Sequence, residues 1–272
     1  MRTRIISAIV GLPILIVLVW VGGLPLKLGI LAVSLVAMRE FYCAFSKNQD
    51  KPIHLIGYAF AVFYLLDIER IVFVPNYFNI FVSLFMLIIL IYIVIFHLRT
   101  SIYEALVTYF GFFYSCFLIS HIYLIREYEY GIYFVWLAFI CAWGCDTGAY
   151  FSGMLFGRHK LNPALSPKKT VEGAIGGVIT SVTIGFIYGM SIEKAFPIEG
   201  VNSLLLCVVT SGAGAVLSQI GDLAASSIKR YTDIKDYGNA IPGHGGILDR
   251  FDSVLLTAPA VYYILLALLS ID

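Results

Sequence analysis

The sequence predicts an all-α, polytopic integral membrane protein of about nine transmembrane helices, with its N-terminus on the cytoplasmic side. Three observations carry that prediction. Of the 272 residues, 60% are hydrophobic and only 13% are charged, about half the charge of an ordinary soluble domain. Mean hydropathy is +0.90, more apolar surface than one water-soluble core can hide. The apolar residues also come in long runs, close to the roughly 20 residues that cross a bilayer. Eighteen Lys and Arg against 17 Asp and Glu leave a net charge of +1. That balance excludes a nucleic-acid binder held by a basic field, and the composition excludes a disordered chain.

The first run, Ile5 to Leu26, follows Arg2 and Arg4. It is too long for the apolar core of a signal peptide, and no small-x-small cleavage site follows it, so it reads as a retained helix. Further runs occupy about 28–45, 53–73, 78–97, 102–125, 132–155, 171–191, 202–227 and 253–271. With the N-terminus inside, four cations (Lys27, Arg70, Arg126 and Lys194) fall on the outer side and the other 14 of the 18 on cytoplasmic segments. This is the asymmetry of the positive-inside rule, and it puts the C-terminus outside. Residues 1–130, about five spans rich in Ile, Leu, Val, Phe and Tyr, read as a scaffold. Residues 131–272 read as the catalytic region, with cytoplasmic loops at 156–171 and 228–252, because Gly, Ser and Asp enter the spans there. All five cysteines lie in apolar runs, and no disulfide is expected. Cys141 and Cys145, one turn apart ahead of Asp146, read as small apolar residues of a buried helix rather than as a metal pair.

Ionisable residues at membrane depth are costly, so each is a functional candidate. Asp67, Glu69 and Arg70 near an outer helix end, and Arg39 with Glu40 near an inner end, read as paired or interfacial groups. His54, His97 and His121 have no metal-ligand spacing around them. Asp146 differs: it lies well inside the sixth span in Trp-Gly-Cys-Asp-Thr-Gly-Ala-Tyr, where small neighbours let a helix or ligand approach. It reads as functional, with a structural hydrogen-bonding role as the alternative. Asp222 lies near the inner end of the eighth span. If that helix continues, Asp222, Ser226 and Lys229 or Arg230 share one face.

Two loops carry the remaining chemistry. In the segment Asp233 to Asp252, Gly243, Gly245 and Gly246 free the backbone to turn its N–H groups toward an anion, just ahead of the N-terminus of the ninth helix. Asp249 and Asp252, at i and i+3, share a face in a helical turn, and two carboxylates beside an anion cradle suit Mg²⁺. Helix capping explains one Asp; it does not explain His244, the glycines, Arg250 and the second Asp together. In the other loop, Ser166-Pro167-Lys168-Lys169-Thr170 sets two cations and two hydroxyls at a helix start, where a phosphate is well held. Arg158 and Lys160 need no more than the positive-inside rule. No Walker-type pattern occurs, which excludes a P-loop.

The run from Ser227 to Asp252 resembles the signature of the phosphatidate cytidylyltransferases, also called CDP-diacylglycerol synthases. Its fixed positions here include Lys229, Arg230, Lys235, Asp236, Pro242, His244, Gly245, Gly246, Asp249, Arg250 and Asp252. The surroundings of Asp146 and the Ser-Pro-Lys-Lys-Thr-x-Glu-Gly loop look like the same family, so the resemblance covers about residues 141–252. It implies that CTP and phosphatidate give CDP-diacylglycerol and pyrophosphate. It also implies Mg²⁺ with a second cation left open, a polytopic helical fold at the cytoplasmic membrane, and a homodimer. Asp222 and Asp249 match the acidic residues of the family's metal centre, with Asp252 and Asp146 as outer or second-metal ligands. Lys168, Lys169, Lys229, Arg230 and Arg250 would hold phosphates beside the hydroxyls of Ser166, Thr170 and Ser226. The 243–246 loop would cradle the triphosphate, and His244 would donate to a phosphate or to the leaving pyrophosphate. The expected partners are CTP, phosphatidate and membrane lipid, with no nucleic acid. Two rivals are a CTP-dependent polyprenol or phytol kinase (or a cytidylyltransferase for another lipid phosphate) and, from a different class, a secondary transporter coupling ions through Asp146 and Asp222.

Overall fold

The structure is a computed structural model that describes residues 2–46, 52–243 and 245–269, side chains of residues 2–8 excepted. Helix dominates, as hydropathy demands, because a backbone in lipid must satisfy its own hydrogen bonds. In chain order the elements are α1 (Arg2–Val21), α2 (Gly23–Ser46), α3 (His54–Leu66), α4 (Ile68–Phe73), α5 (Tyr77–Ile95), α6 (Ile102–Gly111) and α7 (Leu118–Glu127). They continue with α8 (Gly131–Phe139), α9 (Cys145–Phe156), β1 (Lys160–Asn162), β2 (Ser166–Thr170), α10 (Val171–Ala195), α11 (Ser203–Tyr231), α12 (Leu248–Phe251) and α13 (Val254–Leu269). A π-helical turn, Phe112–Phe117, joins α6 to α7, and another, Ile140–Gly144, joins α8 to α9. Each joined pair therefore runs as one long helix, Ile102–Glu127 and Gly131–Phe156.

Six helices among the described residues are long and apolar enough to cross a membrane. Three shorter apolar helices, Ile9–Val21, His54–Leu66 and Val254–Leu269, fall where the first, third and ninth spans are expected. The outward faces stay apolar: Leu55, Val94, Ile102, Leu155 and Ile179 are all well exposed. An integral membrane protein leaves such side chains to lipid.

Two boundaries differ from expectation. The first helix ends earlier than Leu26, because Gly22 (φ 69°) and Gly23 (φ 50°) adopt left-handed backbone that ends a helix at little cost to a glycine. The third span is broken at Asp67, whose φ of −116° leaves the helical region. The loop after α9 is also more ordered than a bare connection, since β1 and β2 pair antiparallel with Lys160 opposite Thr170 and Asn162 opposite Ser166.

The chain divides into two compact units, Met1–Ser120 with Thr232–Asp249, and His121–Tyr231 with Arg250–Asp272. The first is packed by aromatic rings. Phe60 stacks on Phe85 with centroids 4.3 Å apart, and Phe85 meets Phe112 edge-on at 5.2 Å. The second is packed by small residues. Gly173, Gly177, Ser181, Gly185 and Gly189 recur every fourth position of α10, and all are buried. At 3.6 residues per turn they form one stripe, along which neighbouring backbones close in.

Candidate active site

In the second unit, Asp146 is the second residue of α9, directly after a π-helical turn. Such turns re-aim side chains and often mark functional sites. The Oγ of Ser253 donates to its Oδ2 at 2.9 Å. The β1–β2 hairpin is tied to α10 by Glu172, which accepts from the backbone N–H of Arg158 at 3.0 Å and from that of His159. The same carboxylate lies 2.6 Å from His159 Nδ1. Thr170 caps α10, its Oγ1 accepting from Gly173 N at 3.1 Å. These ties fix β2, which carries Lys168, exposed, and Lys169, half-buried.

Lys169 Nζ forms an ion pair with Oδ2 of Asp222 on α11. Burial pushes its ammonium below the usual lysine range, while the charges of Asp146 and then Asp252 draw it back. Gln219, one turn before Asp222, donates through Nε2 to Ala174 O at 2.9 Å. These groups line one cavity of about 390 Å³, a volume typical of small-molecule sites. Asp146, Lys168, Lys169, Thr170, Gln219 and Asp222 supply its polar lining; Ala149, Tyr150, Met154 and Leu161 supply apolar wall.

Helix α11 runs unbroken to Tyr231, so Asp222, Ser226 and Lys229 do share a face. Lys229 is near enough to Lys169 to oppose its protonation, and Arg230 is exposed. Asp252 falls one residue beyond α12, outside the helical turn expected to carry both it and Asp249. Its Oδ1 accepts from Ser253 N at 2.8 Å. Its backbone is pressed on α11 so closely that a Cβ on Gly221 would meet the Asp252 carbonyl at 2.7 Å. Arg250 is exposed.

The first unit holds the loop that precedes Arg250. Gly243 (φ 77°) and Gly245 (φ 88°) take left-handed backbone, as a glycine-built turn requires, and Ile241 N donates to Gly245 O at 3.0 Å. Asp249 is buried, and its Oδ2 accepts from Tyr237 N at 2.8 Å and Gly246 N at 3.1 Å. Glu40 of α2 accepts from Ile247 N at 3.0 Å and Leu248 N at 2.8 Å. The amides of residues 246–248, of which Gly246 belongs to the expected anion cradle, are therefore bound to carboxylates of the protein itself. The cause is general: buried N–H groups at a helix start must find acceptors. Ser166 lies half-buried on β2, and His244 lies outside the described residues.

Glu40, Gln219 and Ser253 escape the sequence reading as site residues. Glu40 alone leaves a signal, a charge inside an apolar run; the hydrogen bonds of the other two depend on tertiary contacts. Cys141 and Cys145 are buried and free, each donating to a carbonyl, that of Thr210 and that of Ala215. Among the described residues, no three His, Cys, Asp or Glu side chains gather at metal-ligand spacing. The cavity still fits Mg²⁺, which is held by one or two carboxylates and completed by substrate phosphates and water. The Lys169 ammonium lodged against Asp222 marks where positive charge is favoured.

The family profile described as "Cytidylyltransferase family" matches residues 2–268. The chain belongs to that family. It is accordingly an enzyme, a nucleotidyltransferase. Among its relatives are proteins named phosphatidate cytidylyltransferase. That of Bacillus subtilis (strain 168) is 32% identical over 97% of both chains. That of Staphylococcus haemolyticus (strain JCSC1435) is 33% identical over 98% of this chain and 99% of its own. That of Staphylococcus aureus (strain COL) is 30% identical over the same shares.

Proposed function

We propose that this chain transfers CMP from CTP to phosphatidate, giving CDP-diacylglycerol and pyrophosphate, at the cytoplasmic face of the cell membrane. The observation that carries the reading is the Lys169–Asp222 ion pair in a cavity that also presents Asp146 and Lys168 beside apolar wall. It offers cations to phosphates, carboxylates to a metal, and apolar surface to a lipid.

A phosphate oxygen of phosphatidate attacks the α-phosphorus of CTP. The bond from that phosphorus to the oxygen bridging to the β-phosphorus breaks, and pyrophosphate leaves with the electron pair. The attacking oxygen is already anionic, so no Ser or Cys nucleophile and no strong base is needed. Catalysis is positioning plus charge neutralisation. In this proposal Lys168, Lys169, Lys229, Arg230 and Arg250 bind phosphates, assisted by the hydroxyls of Ser166, Thr170 and Ser226. Gly243, Gly245 and the remaining amides of the 243–246 loop approach the triphosphate, and His244 donates to a phosphate oxygen. Asp222 and Asp249 would serve as the Mg²⁺ ligands, with Asp252 and Asp146 as outer or second-metal ligands, the roles the family resemblance gives them. When bound, Mg²⁺ neutralises charge on the phosphate oxygens and on the departing pyrophosphate. The two N–H groups on Asp249 Oδ2 would fix that carboxylate's orientation, as hydrogen bonds to ligating carboxylates do. A homodimer belongs to the same proposal.

The test uses purified protein, labelled CTP, Mg²⁺ and phosphatidate. CMP should appear on the lipid with release of pyrophosphate; release of CDP would mark a kinase instead. Asp222→Asn and Asp249→Asn, each shown to fold, should lose about 10²–10³ in turnover, the loss typical when transition-state charge stabilisation goes. Near-normal turnover in either would sink that residue's assignment.

A further inference from the structure

We infer that Glu40, in the second helix, is a positioning residue for the reaction: it holds the glycine-rich turn and the start of α12 in register for Asp249. The inference rests on the reading above, in which Asp249 serves the reaction. Glu40 lies in α2 (Gly23–Ser46), six residues before its end, and is only 7% exposed. A carboxylate that deep is expensive unless it is hydrogen-bonded. Its hydrogen-bond donors are the amides of the turn, Ile247 N on Oε1 and Leu248 N on Oε2.

The fit is close on two further sides. A Cβ on Gly238 would stand 2.6 Å from Oε1, and a Cβ on Gly246 would stand 2.5 Å from Oε2. Residues 238, 246, 247 and 248 thus close around one carboxylate supplied from about 200 positions earlier in the chain. Asp249 continues the arrangement by accepting from Gly246 N and Tyr237 N. Among its described residues the turn has little regular structure of its own, a single bridge between Ile241 and Gly245. Two buried carboxylates therefore do for this segment what a helix or sheet ladder does elsewhere. Only one of them, Asp249, is proposed to touch metal. The other fixes where Asp249 is aimed.

A substitution at Glu40 should therefore act on turnover more than on binding. Glu40→Gln keeps the shape but turns an N–H₂ group toward one of the two backbone N–H donors, so one bond is lost and a repulsion takes its place. We expect kcat to fall 10- to 100-fold with KM for CTP changed less than threefold, and Glu40→Asp to recover part of the loss. Amide hydrogen exchange at 246–248 should rise at least tenfold, with the helices of the spans unaffected. Gly246→Ala reaches the same contact from the other side. It should reproduce the loss, yet cost much less in a Glu40→Ala background, because the methyl group then occupies the space of the missing carboxylate. Unchanged exchange at 246–248 in Glu40→Gln, or strict additivity of Gly246→Ala and Glu40→Ala, would overturn the inference. Exchange is read without turnover, so it judges Glu40 even if wild-type protein makes no CDP-diacylglycerol, the outcome that would sink the functional reading instead.

Discussion

The two units of this enzyme solve helix packing by opposite means. In the first, rings fill the space: Phe85 and Phe112 are fully buried and meet Phe60, Tyr64, Phe81 and Tyr109 at centroid distances of 4.3–6.4 Å. Such packing tolerates ångström-scale adjustment, because rings slide on one another and shed area gradually. In the second, space is removed. A Cβ on Gly177 would meet the Cys145 carbonyl at 2.8 Å, and one on Gly189 would meet Leu204 Cα at 2.9 Å. Backbone so close to backbone fixes helix spacing within tenths of an ångström. Asp146, Lys169 and Asp222 line a cavity in that second unit. Charge stabilisation needs donors and acceptors held to about half an ångström, and packed backbones provide that around this cavity.

The largest effect should follow from adding one methyl group to the second unit. Gly221→Ala places a Cβ 2.7 Å from the Asp252 carbonyl, on the residue beside Asp222. Backbone cannot swing aside as a side chain can, so the helix or the Asp252 strand of chain must shift. We expect turnover to fall about 100-fold, equivalent to about 2.7 kcal/mol in the barrier, with the protein still folded. Steady-state rates beside the unfolding midpoint in detergent would measure it. Loss of fold in step with loss of rate would mean that the small-residue packing serves stability alone.

The first unit should respond in the reverse sense. Phe85→Ala empties a ring-sized volume among other rings, and large-to-small changes of this kind cost about 3–5 kcal/mol of stability. The unfolding midpoint should drop clearly, while the fraction that remains folded turns over at the wild-type rate. A rate loss exceeding the loss of folded protein would break the contrast between the units.

Much of this contrast is written in the sequence. Phe60, Phe81, Phe85 and Phe112 stand in apolar runs, and the every-fourth small residue from Gly173 to Gly189 is explicit. The charges of 166–170 and 222–252 likewise mark the candidate site, because a low-charge chain makes each charge conspicuous. What each stripe faces is not written there. That Gly221 abuts Asp252, or that Ser253 reaches Asp146, depends on helices brought together from distant positions. Glu40 shows the limit best. A single carboxylate in an apolar run looks like an interfacial group until the turn that consumes its two oxygens is in place. The π-helical turn before Asp146 escapes for a related reason: one inserted residue leaves the hydrophobic pattern almost unchanged.

The smallest effect belongs to an ion pair that looks important in isolation. Lys27 and Glu69 meet at 2.5 Å between α2 and α4 of the first unit, the lysine mostly covered and the glutamate about half exposed. With one partner open to solvent, the attraction is screened and the desolvation of Lys27 offsets part of it. Lys27→Gln should cost only about 0–1 kcal/mol, the range measured for exposed pairs. The shift should be seen at low salt, shrink at high salt, and leave turnover unaltered. If it matched Phe85→Ala, the first unit would depend on charge rather than on aromatic packing. The distinction between a unit filled by rings and a unit closed by glycines would then have to be redrawn around its ion pairs.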